Sequence, residues 1–487
     1  MKKYFIQTFG CAMNSADSEK INMLLLQSGF TKVSDHAEAD LIILNTCSVR
    51  KKGEDRVFSI VKDIIKERKR LIKEKVLPKD SIPIFGITGC MVRKTGLNSK
   101  YLSEKKERER ARKIELLQDE KGIFNNDDKL FPRLEALDFT LRIEEIKYLL
   151  FILSHIFDEK IGQDDKFDDY LKMKQLRDNP ALASIVVQTG CDNFCTYCIV
   201  PYTRGKEFSR KPADIITDCK ESIKNGAKEI TLLGQNVNSY GKQFIDSKLW
   251  NAEKSKWNDN IGKSPFRQLL DDIDSLDGID RIRFTSSNPH DMTQDILDSH
   301  FELNHMCNYL HFALQSGNDQ ILKKMNRKHT YADFKKQVEY LRSKDPFFSI
   351  STDLIVGFSG ETDEMFNDTL KTFEECQFDF AYIARYSVRP GTIAAKIYPD
   401  DVPDYIKAER WHKLNNALMK SLTQRNLLMI GKEDEVLIYG ETENQFFGRT
   451  RNFKEVFFEK DKKCKVGDLV KVKIDEIDKW VLKGKIV

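Results

Sequence analysis

Three cysteines stand close together in the middle of this chain, in a spacing that suits an iron–sulfur cluster. Cys191, Cys195 and Cys198 form a C-x3-C-x2-C run of eight residues directly after a predicted strand. Three thiolates at this spacing can hold three irons of a cubane [4Fe–4S] cluster, which leaves the fourth iron open to another ligand. A zinc ion is the alternative, but structural zinc needs a fourth protein ligand. The nearest other cysteine, Cys219, lies in the next predicted helix.

A second set of cysteines is dispersed in sequence but repeats one position in the predicted elements. Cys11, Cys47 and Cys90 each follow the C-terminal end of a predicted parallel strand. Such strand ends share one edge of an open α/β sheet, where ligands bind. The three thiols are therefore expected to meet in space. The alternative is three buried thiols that pack as small apolar groups.

Length and composition limit the class of protein. A chain of 487 residues allows about three domains. With 40% hydrophobic and 32% charged residues the chain is neither disordered nor collagen-like. A net charge of +4 is too small to indicate a nucleic-acid partner by itself. Without a visible signal sequence or an apolar run long enough for a bilayer, the expectation is a cytoplasmic protein with reduced cysteines.

The elements that must position the first cysteines follow an α/β pattern. Strands are predicted at Lys3–Thr8, Asp40–Leu44 and Ile82–Ile87, with helices at Ser15–Ser28 and from Cys47 to about Lys75. This alternation predicts a doubly wound α/β domain over residues 1–160. A basic insertion, residues 93–130, interrupts it, and residues 133–157 are predicted to be helical.

A charged segment, residues 161–180, is predicted to be a linker to a second α/β domain over residues 181–420. Six strands separated by helical patterns predict a partial (β/α)6 barrel, with its site at the strand C-terminal ends. These strands are expected at Ser184–Thr189, Glu229–Leu233, Arg281–Thr285, Tyr309–Ala313, Ser349–Val356 and Phe380–Ala384.

The last segment, residues 421–487, changes to short strands punctuated by glycines. Strands are expected at Glu435–Tyr439, Lys454–Phe458, Leu469–Ile474 and Trp480–Ile486. This pattern predicts a small all-β barrel. The whole chain is therefore predicted to be an α/β protein with a C-terminal β barrel.

Longer motifs around these cysteines resemble those of one enzyme family. In the first domain they are T-F-G-C-A-M-N-S-A-D-S-E (Thr8–Glu19), L-N-T-C-S-V-R (Leu44–Arg50) and G-C-M (Gly89–Met91). In the second they are C-D-N-F-C-T-Y-C-I-V-P-Y-T-R-G (Cys191–Gly205), L-L-G-Q-N-V-N-S-Y-G (Leu232–Gly241), Q-S-G (Gln315–Gly317), D-L-I-V-G-F (Asp353–Phe358), G-E-T (Gly360–Thr362) and Y-S-V-R-P-G-T (Tyr386–Thr392). F-G-R-T-R-N (Phe447–Asn452) with V-G-D (Val466–Asp468) resembles a TRAM domain, a small RNA-binding barrel. Outside residues 93–130, nearly the whole chain resembles the MiaB-type methylthiotransferases of the radical S-adenosylmethionine superfamily.

The resemblance implies two [4Fe–4S] clusters and S-adenosylmethionine. Cys191, Cys195 and Cys198 would hold the cluster that cleaves S-adenosylmethionine to a 5′-deoxyadenosyl radical. Members of the family hold a second, sulfur-carrying cluster on the cysteines that match Cys11, Cys47 and Cys90. The two sets account for six of the ten cysteines. Cys219, Cys307, Cys376 and Cys464 are interpreted as ordinary packed thiols.

The implied reaction is methylthiolation of carbon 2 of N6-(dimethylallyl)adenosine at position 37 of tRNAs. Threonylcarbamoyl-adenosine 37 and a ribosomal-protein aspartate are alternative substrates. An alternative of another class is a non-catalytic RNA-binding metalloprotein. The implied partners are the tRNA anticodon stem-loop and an electron donor such as a flavodoxin or ferredoxin. The protein is expected to be a monomer that does not associate with membranes.

Further residues are expected to contact S-adenosylmethionine because they are polar and follow strands of the predicted barrel. The candidates are Tyr197, Gln235, Asn236, Ser287, Gln315 and Asp353. Tyr197 is equally compatible with plain packing, and the polar residues with helix capping. Arg385 and Arg389 are candidates for RNA phosphate or the cofactor carboxylate.

A few side chains of the last domain are candidates for an RNA-binding surface. In the last domain, Phe446, Phe447, Arg449 and Arg451 are candidates for base stacking and phosphate contact. The alternative is a solvated face of the barrel.

Overall fold

The computed structural model describes residues 2–47, 51–75, 83–98, 130, 134, 136–162, 170–177, 179–245 and 263–487. The chain divides into two compact units. The first comprises Met1–Asp178 with Ile199–Gly205, and the second comprises Asn179–Cys198 with Lys206–Val487. Most of the basic insertion 93–130 lies outside the described residues, as does part of the expected linker. Within those described ranges, none of the helices combines the length and apolar character needed to cross a membrane.

The first unit is built on one mixed sheet. Its strands are β1 (Lys3–Phe9), β2 (Thr31–Lys32), β3 (Leu41–Thr46), β4 (Ile84–Gly89), β5 (Gly96–Leu97) and β6 (Phe139–Leu141). Its α-helices are α1 (Ala12–Gln27), α2 (Lys51–Lys73), α3 (Leu149–Ile156) and α4 (Val200–Thr203), and 3-10 turns occur at His36–Glu38, Ile143–Tyr148 and Tyr170–Lys172. The strand order is β2-β1-β3-β4-β6-β5, and the pairs β1–β3 and β3–β4 are parallel. The predicted α/β layer is therefore confirmed.

One part of the first unit differs from the expectation. Residues 133–157 were expected to be helical, but Phe139–Leu141 forms strand β6 beside β4. All three residues of β6 are buried, and the Thr140 hydroxyl donates to the carbonyl oxygen of Lys94. The apolar residues of this short segment fit the periodicity of a helix as well as that of a strand. The open edge of β4 favours the strand, because its backbone groups require hydrogen-bond partners.

The second unit contains a partial barrel and a closed β barrel. The strands of the partial barrel and its small side sheet are β7 (Leu182–Val186), β8 (Gln188–Thr189), β9 (Phe208–Ser209), β10 (Glu229–Leu233), β11 (Arg281–Phe284), β12 (Tyr309–His311), β13 (Ser349–Val356) and β14 (Phe380–Arg385). The helices are α5 (Pro212–Lys224), α6 (Lys242–Ile245), α7 (Pro265–Asp274), α8 (Gln294–Glu302), α9 (Asp319–Lys324), α10 (Tyr331–Lys344), α11 (Asp363–Cys376), α12 (Ile393–Ile397) and α13 (Asp404–Leu427), with 3-10 turns at Val237–Ser239 and Pro289–Asp291.

Six parallel strands follow one another in chain order around the partial barrel. Strands β7, β10 and β11 form one ladder, and β12, β13 and β14 form another. Isolated parallel bridges, Ile282 with Met306 and Ser287 with Phe312, continue the pairing from β11 towards β12. The expected partial (β/α)6 barrel is confirmed, and its strand C-terminal ends form the rim that should carry the site.

The closed barrel at the end of the chain contains one strand more than predicted. Its strands are β15 (Glu433–Glu441), β16 (Gln445–Thr450), β17 (Glu455–Glu459), β18 (Leu469–Asp478) and β19 (Val481–Ile486), in the order β15-β16-β17-β19-β18. Strand β16 is the addition. Its Gly448 looks like a turn residue in the sequence, but a Cβ there would overlap the carbonyl oxygen of Leu437 on β15. Glycine is therefore required by close strand pairing.

Candidate functional site

Cys11, Cys47 and Cys90 follow three adjacent parallel strands of the first unit, as the sequence predicts. Cys11 immediately precedes α1, Cys47 follows β3 and Cys90 follows β4. The backbone amide of Cys90 donates to the carbonyl oxygen of Thr46 over 2.8 Å. The thiols of Cys47 and Cys90 are hydrogen-bonded, and Cys90 acts electrostatically on Cys11. The three residues therefore lie at one edge of the sheet.

Two buried asparagines tie the elements that carry these cysteines together. Asn14 Nδ2 donates to Asn45 Oδ1 over 2.9 Å, and Asn45 Nδ2 donates to the carbonyl oxygen of Asn14 over 2.7 Å. Asn14 Oδ1 also accepts from the backbone amide of Cys11 over 3.3 Å. The start of α1 is thus bonded to the end of β3. These residues stand three positions after Cys11 and two before Cys47, but the sequence does not reveal that they pair.

The turn before Cys90 requires a glycine. Gly89 has a φ of +90°, in a region that other residues rarely adopt. A Cβ at this position would also overlap the carbonyl oxygen of Thr46. The conformation of Gly89 therefore allows Cys90 to approach the end of β3.

A buried arginine lies beside these cysteines. Arg204 Nη2 is 2.6 Å from Asp17 Oδ2, and the two side chains are 2% and 0% exposed. The pKa of the Cys90 thiol is lowered to about 6, chiefly by the hydrogen bond with Cys47 and also by the charge and a hydrogen bond of Arg204, against the opposing effect of burial. Sequence reasoning missed Arg204 because it is far from all three cysteines along the chain. The feature of the sequence that could have pointed to Arg204 is its place in the motif Cys191–Gly205.

In the second unit, the C-x3-C-x2-C loop follows β8. Cys191, Cys195 and Cys198 are all half-buried, and the amide of Cys198 donates to the carbonyl oxygen of Cys195 over 2.9 Å. Burial raises the pKa of the Cys191 thiol to about 12. A thiol held in this way gives up its proton when a metal cation binds it.

The segment after α9 holds this loop in place, and sequence reasoning did not identify it. The amide of Thr196 donates to the carbonyl oxygen of Met325 over 3.0 Å, and Asn326 Nδ2 donates to the carbonyl oxygen of Phe194 over 3.1 Å. Arg327 Nη1 donates to Cys195 Sγ over 3.7 Å. The same guanidinium also reaches the ends of β11 and β12. Its Nη2 donates to Asn288 Oδ1 over 3.0 Å and to the carbonyl oxygen of Ala313 over 2.7 Å.

Tyr197 packs at the edge of a small apolar cluster beside the loop. Its ring meets the ring of Phe358 edge-on, with 6.4 Å between centroids. The cluster also contains Met325, Tyr386 and Ala394, and the amide of Ala394 donates to the carbonyl oxygen of Thr196 over 2.7 Å. Burial raises the pKa of the Tyr197 hydroxyl well above its usual value. Its packing role is therefore visible, while contact with a cofactor stays a prediction.

Gln235, Asn236 and Ser287 follow β10 and β11 at the rim of the partial barrel. Among the described residues, no hydrogen bond satisfies three of their buried oxygens, Gln235 Oε1, Asn236 Oδ1 and Ser287 Oγ. Asn236 Nδ2 donates to Asp291 Oδ2 over 2.7 Å, and Lys242 Nζ lies 2.5 Å from Asp291 Oδ1. Because unsatisfied buried polar atoms cost free energy, this rim is suited to a polar ligand.

Gln315 and Asp353 lie on neighbouring parts of the same rim. Gln315 has a φ of +73°, and its backbone amide donates to the carbonyl oxygen of Asp353 over 2.8 Å. Asp353 Oδ2 lies 3.0 Å from His311 Nε2, and the Asp353 side chain is 38% exposed. The structure therefore leaves the Asp353 carboxylate accessible next to a histidine that the sequence did not single out.

The residues expected to form an RNA surface on the closed barrel have other roles. Phe446 is 3% exposed and belongs to the barrel core. Arg449 Nη2 is 2.8 Å from Glu229 Oε1, and Arg451 Nη2 donates to the carbonyl oxygen of Met306 over 2.8 Å. Phe447 stacks on Phe457, with 5.5 Å between centroids. Phe446 is therefore too buried to stack with a base. Arg449 and Arg451 bond the closed barrel to the partial barrel, and RNA contact by Phe447, Arg449 and Arg451 stays a prediction.

The remaining cysteines behave as packed thiols. Cys219, Cys307 and Cys376 are buried, and Cys464 is partly buried. Across the ranges that the structure describes, no three Cys, His, Asp or Glu side chains form a candidate site for a metal ion. A [4Fe–4S] cluster places each thiolate on a different iron, and each cysteine set supplies the soft thiolate donors that such a cluster takes. The donor types therefore fit two clusters, and the unsatisfied oxygens at the rim fit a polar cofactor.

Comparison with known families assigns all three parts of the chain. Residues 3–110 match the uncharacterized protein family UPF0004, residues 185–373 match the Radical SAM superfamily, and residues 427–487 match the TRAM domain. A solved radical S-adenosylmethionine methyltransferase, TsrM from Kitasatospora setae, has a similar fold. The TM-score is 0.51 at 12% identity, and the match covers 81% of this chain and 75% of that chain.

Curated relatives match from end to end. The tRNA-2-methylthio-N(6)-dimethylallyladenosine synthase of Clostridium novyi (strain NT) is 37% identical, over 100% of this chain and 97% of the relative. The protein of the same name from Thermoanaerobacter sp. (strain X514) is 36% identical, over 99% of this chain and 92% of the relative. The resemblance seen in the sequence motifs is thus confirmed, and this chain belongs to the tRNA-2-methylthio-N(6)-dimethylallyladenosine synthase family.

Proposed function

We propose that this protein is a radical S-adenosylmethionine enzyme that adds a methylthio group to carbon 2 of N6-(dimethylallyl)adenosine at position 37 of tRNAs. The observation that carries the proposal is 37% identity along the whole chain to a synthase named for this product. Both cysteine sets that such a reaction needs are present, one in each compact unit.

Cys191, Cys195 and Cys198 are proposed as the ligands of one [4Fe–4S] cluster. When bound, this cluster supplies the electron that cleaves S-adenosylmethionine, and the resulting radical can activate an unreactive C–H bond. The chain's own contribution is to hold the loop rigidly, through Asn326 and Arg327. Arg327 also places a positive charge beside the Cys195 thiol.

Tyr197, Gln235, Asn236, Ser287, Gln315 and Asp353 are proposed as contacts of S-adenosylmethionine. The support is that buried oxygens of Gln235, Asn236 and Ser287 have no hydrogen-bond partner among the described residues. A ligand with ammonium and hydroxyl donors would satisfy such acceptors. The Asp353 carboxylate is accessible to the same kind of donor.

Cys11, Cys47 and Cys90 are proposed as the ligands of the second [4Fe–4S] cluster, which carries the sulfur. The support is that their three strand ends share an edge and that Cys47 and Cys90 touch. Carbon 2 of adenine has no leaving group, so direct substitution by a sulfur nucleophile would be slow. A separate sulfur site therefore has a clear role beside a radical-generating site.

The partners follow from the proposed reaction. The tRNA anticodon stem-loop is the substrate, and the TRAM domain at residues 427–487 is a candidate for RNA contact. We propose a flavodoxin or ferredoxin as electron donor and a monomeric enzyme that acts in the cytoplasm.

The decisive experiment is nucleoside mass spectrometry of tRNA from cells with and without the protein. Cells without it should keep the dimethylallyl group and lose the 2-methylthio group. Unchanged 2-methylthio content would refute the proposed function. Loss of a methylthio group from threonylcarbamoyl-adenosine or from a ribosomal-protein aspartate would instead identify one of the alternative substrates.

Cysteine variants test the two assignments separately. Cys195→Ala should abolish cleavage of S-adenosylmethionine, whereas Cys47→Ala should prevent methylthiolation and retain some cleavage. Cys219→Ala is the matched control, because Cys219 is a buried thiol outside both sets. Anaerobic reconstitution should yield about eight irons per chain. An iron content near zero would support the non-catalytic alternative.

A further inference from the structure

The C-x3-C-x2-C loop of the second unit presents an aromatic ring to solvent. Phe194 lies between Cys191 and Cys195, has a φ of +46° and is 43% exposed. A bulky residue rarely adopts this left-handed conformation, and such strain is retained most often at functional sites. Burial of the ring does not account for it, because the ring remains in contact with water. The loop therefore displays an apolar group directly beside the proposed cluster ligands.

A basic segment supports the loop next to Phe194. Residues 323–330, K-K-M-N-R-K-H-T, contain four lysine or arginine residues and no aspartate or glutamate. Asn326 Nδ2 donates to the carbonyl oxygen of Phe194 over 3.1 Å. The Thr196 hydroxyl donates to the carbonyl oxygen of Lys324 over 2.9 Å. The loop and the basic segment thus form one continuous surface.

Three lysines of the basic segment give this surface its charge. Lys323 and Lys328 are exposed, and Lys324 is half-buried. The amide of Asn326 donates to the carbonyl oxygen of Lys323 over 3.0 Å, so Lys323 lies one turn from the contact with the loop. Within the ranges that the structure describes, none of the three side chains forms an ion pair with a carboxylate. The loop itself contains a single acidic residue, Asp192, so the surface is net positive.

The inner and outer sides of this surface serve different groups. Arg327 reaches inward, where Nη1 donates to Cys195 Sγ over 3.7 Å and Nη2 donates to the carbonyl oxygen of Ala313 over 2.7 Å. That side leads to the rim with the proposed contacts of S-adenosylmethionine, which the tRNA must also reach. Phe194 and Lys323 are exposed to solvent, and a partner can cover them without occupying the rim. An electron donor needs only to approach the cluster, so the outer side suits it.

We propose that Phe194, Lys323, Lys324 and Lys328 form the docking surface of a small acidic one-electron carrier protein. The proposal rests on the proposed function, because cleavage of S-adenosylmethionine needs one electron at the cluster of the second unit. In this step the reduced carrier loses one electron and the cluster gains it, and no bond forms or breaks. An apolar centre with a charged rim is common in protein interfaces, and encounters between redox proteins need little area. Opposite charges raise the rate of such encounters.

The test uses a flavodoxin of net negative charge as the probe. Oxidised flavodoxin is titrated into the reconstituted full-length protein by isothermal titration calorimetry, which measures docking without turnover. Reduced flavodoxin then drives cleavage of S-adenosylmethionine, measured as 5′-deoxyadenosine. Sodium dithionite drives the same cleavage in a parallel assay, because a small reductant needs no protein docking surface.

The main variant is Lys323→Glu combined with Lys328→Glu. We expect the affinity for flavodoxin and the flavodoxin-driven rate to fall at least about tenfold. Iron content and the dithionite-driven rate should stay unchanged. Lys220→Glu combined with Lys224→Glu is the matched control, because it changes the net charge equally. Its lysines are exposed in the last turns of α5, which lead to the start of β10 and away from the rim, so flavodoxin should bind as before.

Phe194→Ala tests the apolar centre without altering charge. We expect the affinity for flavodoxin to fall at least about fivefold, as truncation of a central aromatic side chain predicts. Unchanged affinity in this variant or in the Lys323 and Lys328 variant overturns the inference. An equal loss of the dithionite-driven rate in the lysine variant also overturns it, because damage to the loop would then be the cause. Lost affinity for tRNA at unchanged affinity for flavodoxin would assign the surface to RNA and overturn it as well.

The two reductants separate this inference from the proposed function. If dithionite yields 5′-deoxyadenosine and the lysine variant responds to flavodoxin as the wild type does, the docking surface is refuted and the proposed function stands. If neither reductant yields 5′-deoxyadenosine from the fully loaded wild-type enzyme, the proposed function itself fails.

Discussion

The ion pairs of Glu229 predict how firmly the closed barrel is held to the partial barrel. Glu229 lies on β10 and is 0% exposed, and its carboxylate is 2.9 Å from Arg283 Nε and 2.8 Å from Arg449 Nη2. Burial by itself would raise the pKa of Glu229, but Arg283 and Arg449 lower it below its usual value. The carboxylate is therefore ionised, and its loss leaves buried cations without their counter-ion.

The expected cost of Glu229→Gln follows from these contacts. Breaking a buried ion pair from one side costs about 3–5 kcal/mol. Arg283 also donates to the carbonyl oxygens of Arg451 and Thr450, at 2.7 and 2.8 Å, and keeps these acceptors in the variant. We therefore expect the lower end, a decrease of about 3 kcal/mol in the free energy of unfolding of the second unit.

Urea unfolding of the full-length protein, followed by circular dichroism, measures this change. Glu435→Gln is the matched control, because Glu435 pairs with Arg281 at 3.0 Å but is 44% exposed. Partly exposed pairs contribute about 0–1 kcal/mol. The reasoning is refuted if Glu229→Gln destabilises the protein no more than Glu435→Gln does. Combining Glu229→Gln with Arg449→Gln should recover part of the loss if the two side chains act as a pair.

Three further predictions concern the turn before Cys90, a buried histidine and the cysteine loop. Gly89→Ala should destabilise the first unit by about 1–3 kcal/mol in urea unfolding, because its φ of +90° strains any other residue, and equal stability would contradict this. Burial lowers the pKa of His300 to about 4 in the folded protein, while the unfolded chain keeps about 6.5. As the pH falls from 7 to 5.5 the unfolded chain therefore takes up the proton, and the apo-protein should lose about 1 kcal/mol of stability that His300→Phe does not lose; parallel pH profiles would exclude this role. Arg327→Lys should lower reductive cleavage of S-adenosylmethionine about tenfold, measured as 5′-deoxyadenosine, because lysine cannot serve the three acceptors of Arg327, and wild-type rates would refute its positioning role.

Local patterns in the sequence were sufficient for most of the elements. Buried runs such as Leu41–Thr46 are recognisable because a parallel strand covered on both faces is continuously apolar. The same local reading failed at Phe139–Leu141 and Gln445–Thr450, which are strands because a neighbouring strand supplies their partners. A short segment has too few residues for the spacing of its apolar side chains to distinguish a helix from a strand, so pairing with a neighbouring strand decides its structure.

The sequence by itself determined which residues are the candidates for the chemistry. The spacing of Cys191, Cys195 and Cys198 is local, and the repeated position of Cys11, Cys47 and Cys90 after strands is readable without coordinates. Only the tertiary structure showed what surrounds them, such as Arg327 at Cys195 and the pair of Arg204 and Asp17 beside Cys90. The physical reason is that a ligand motif depends on residue type and spacing, whereas a buried charge finds its partner through folding, at a separation along the chain that no motif records. The same reason explains why the sequence did not reveal that Arg449 and Arg451 of the closed barrel bond to the partial barrel.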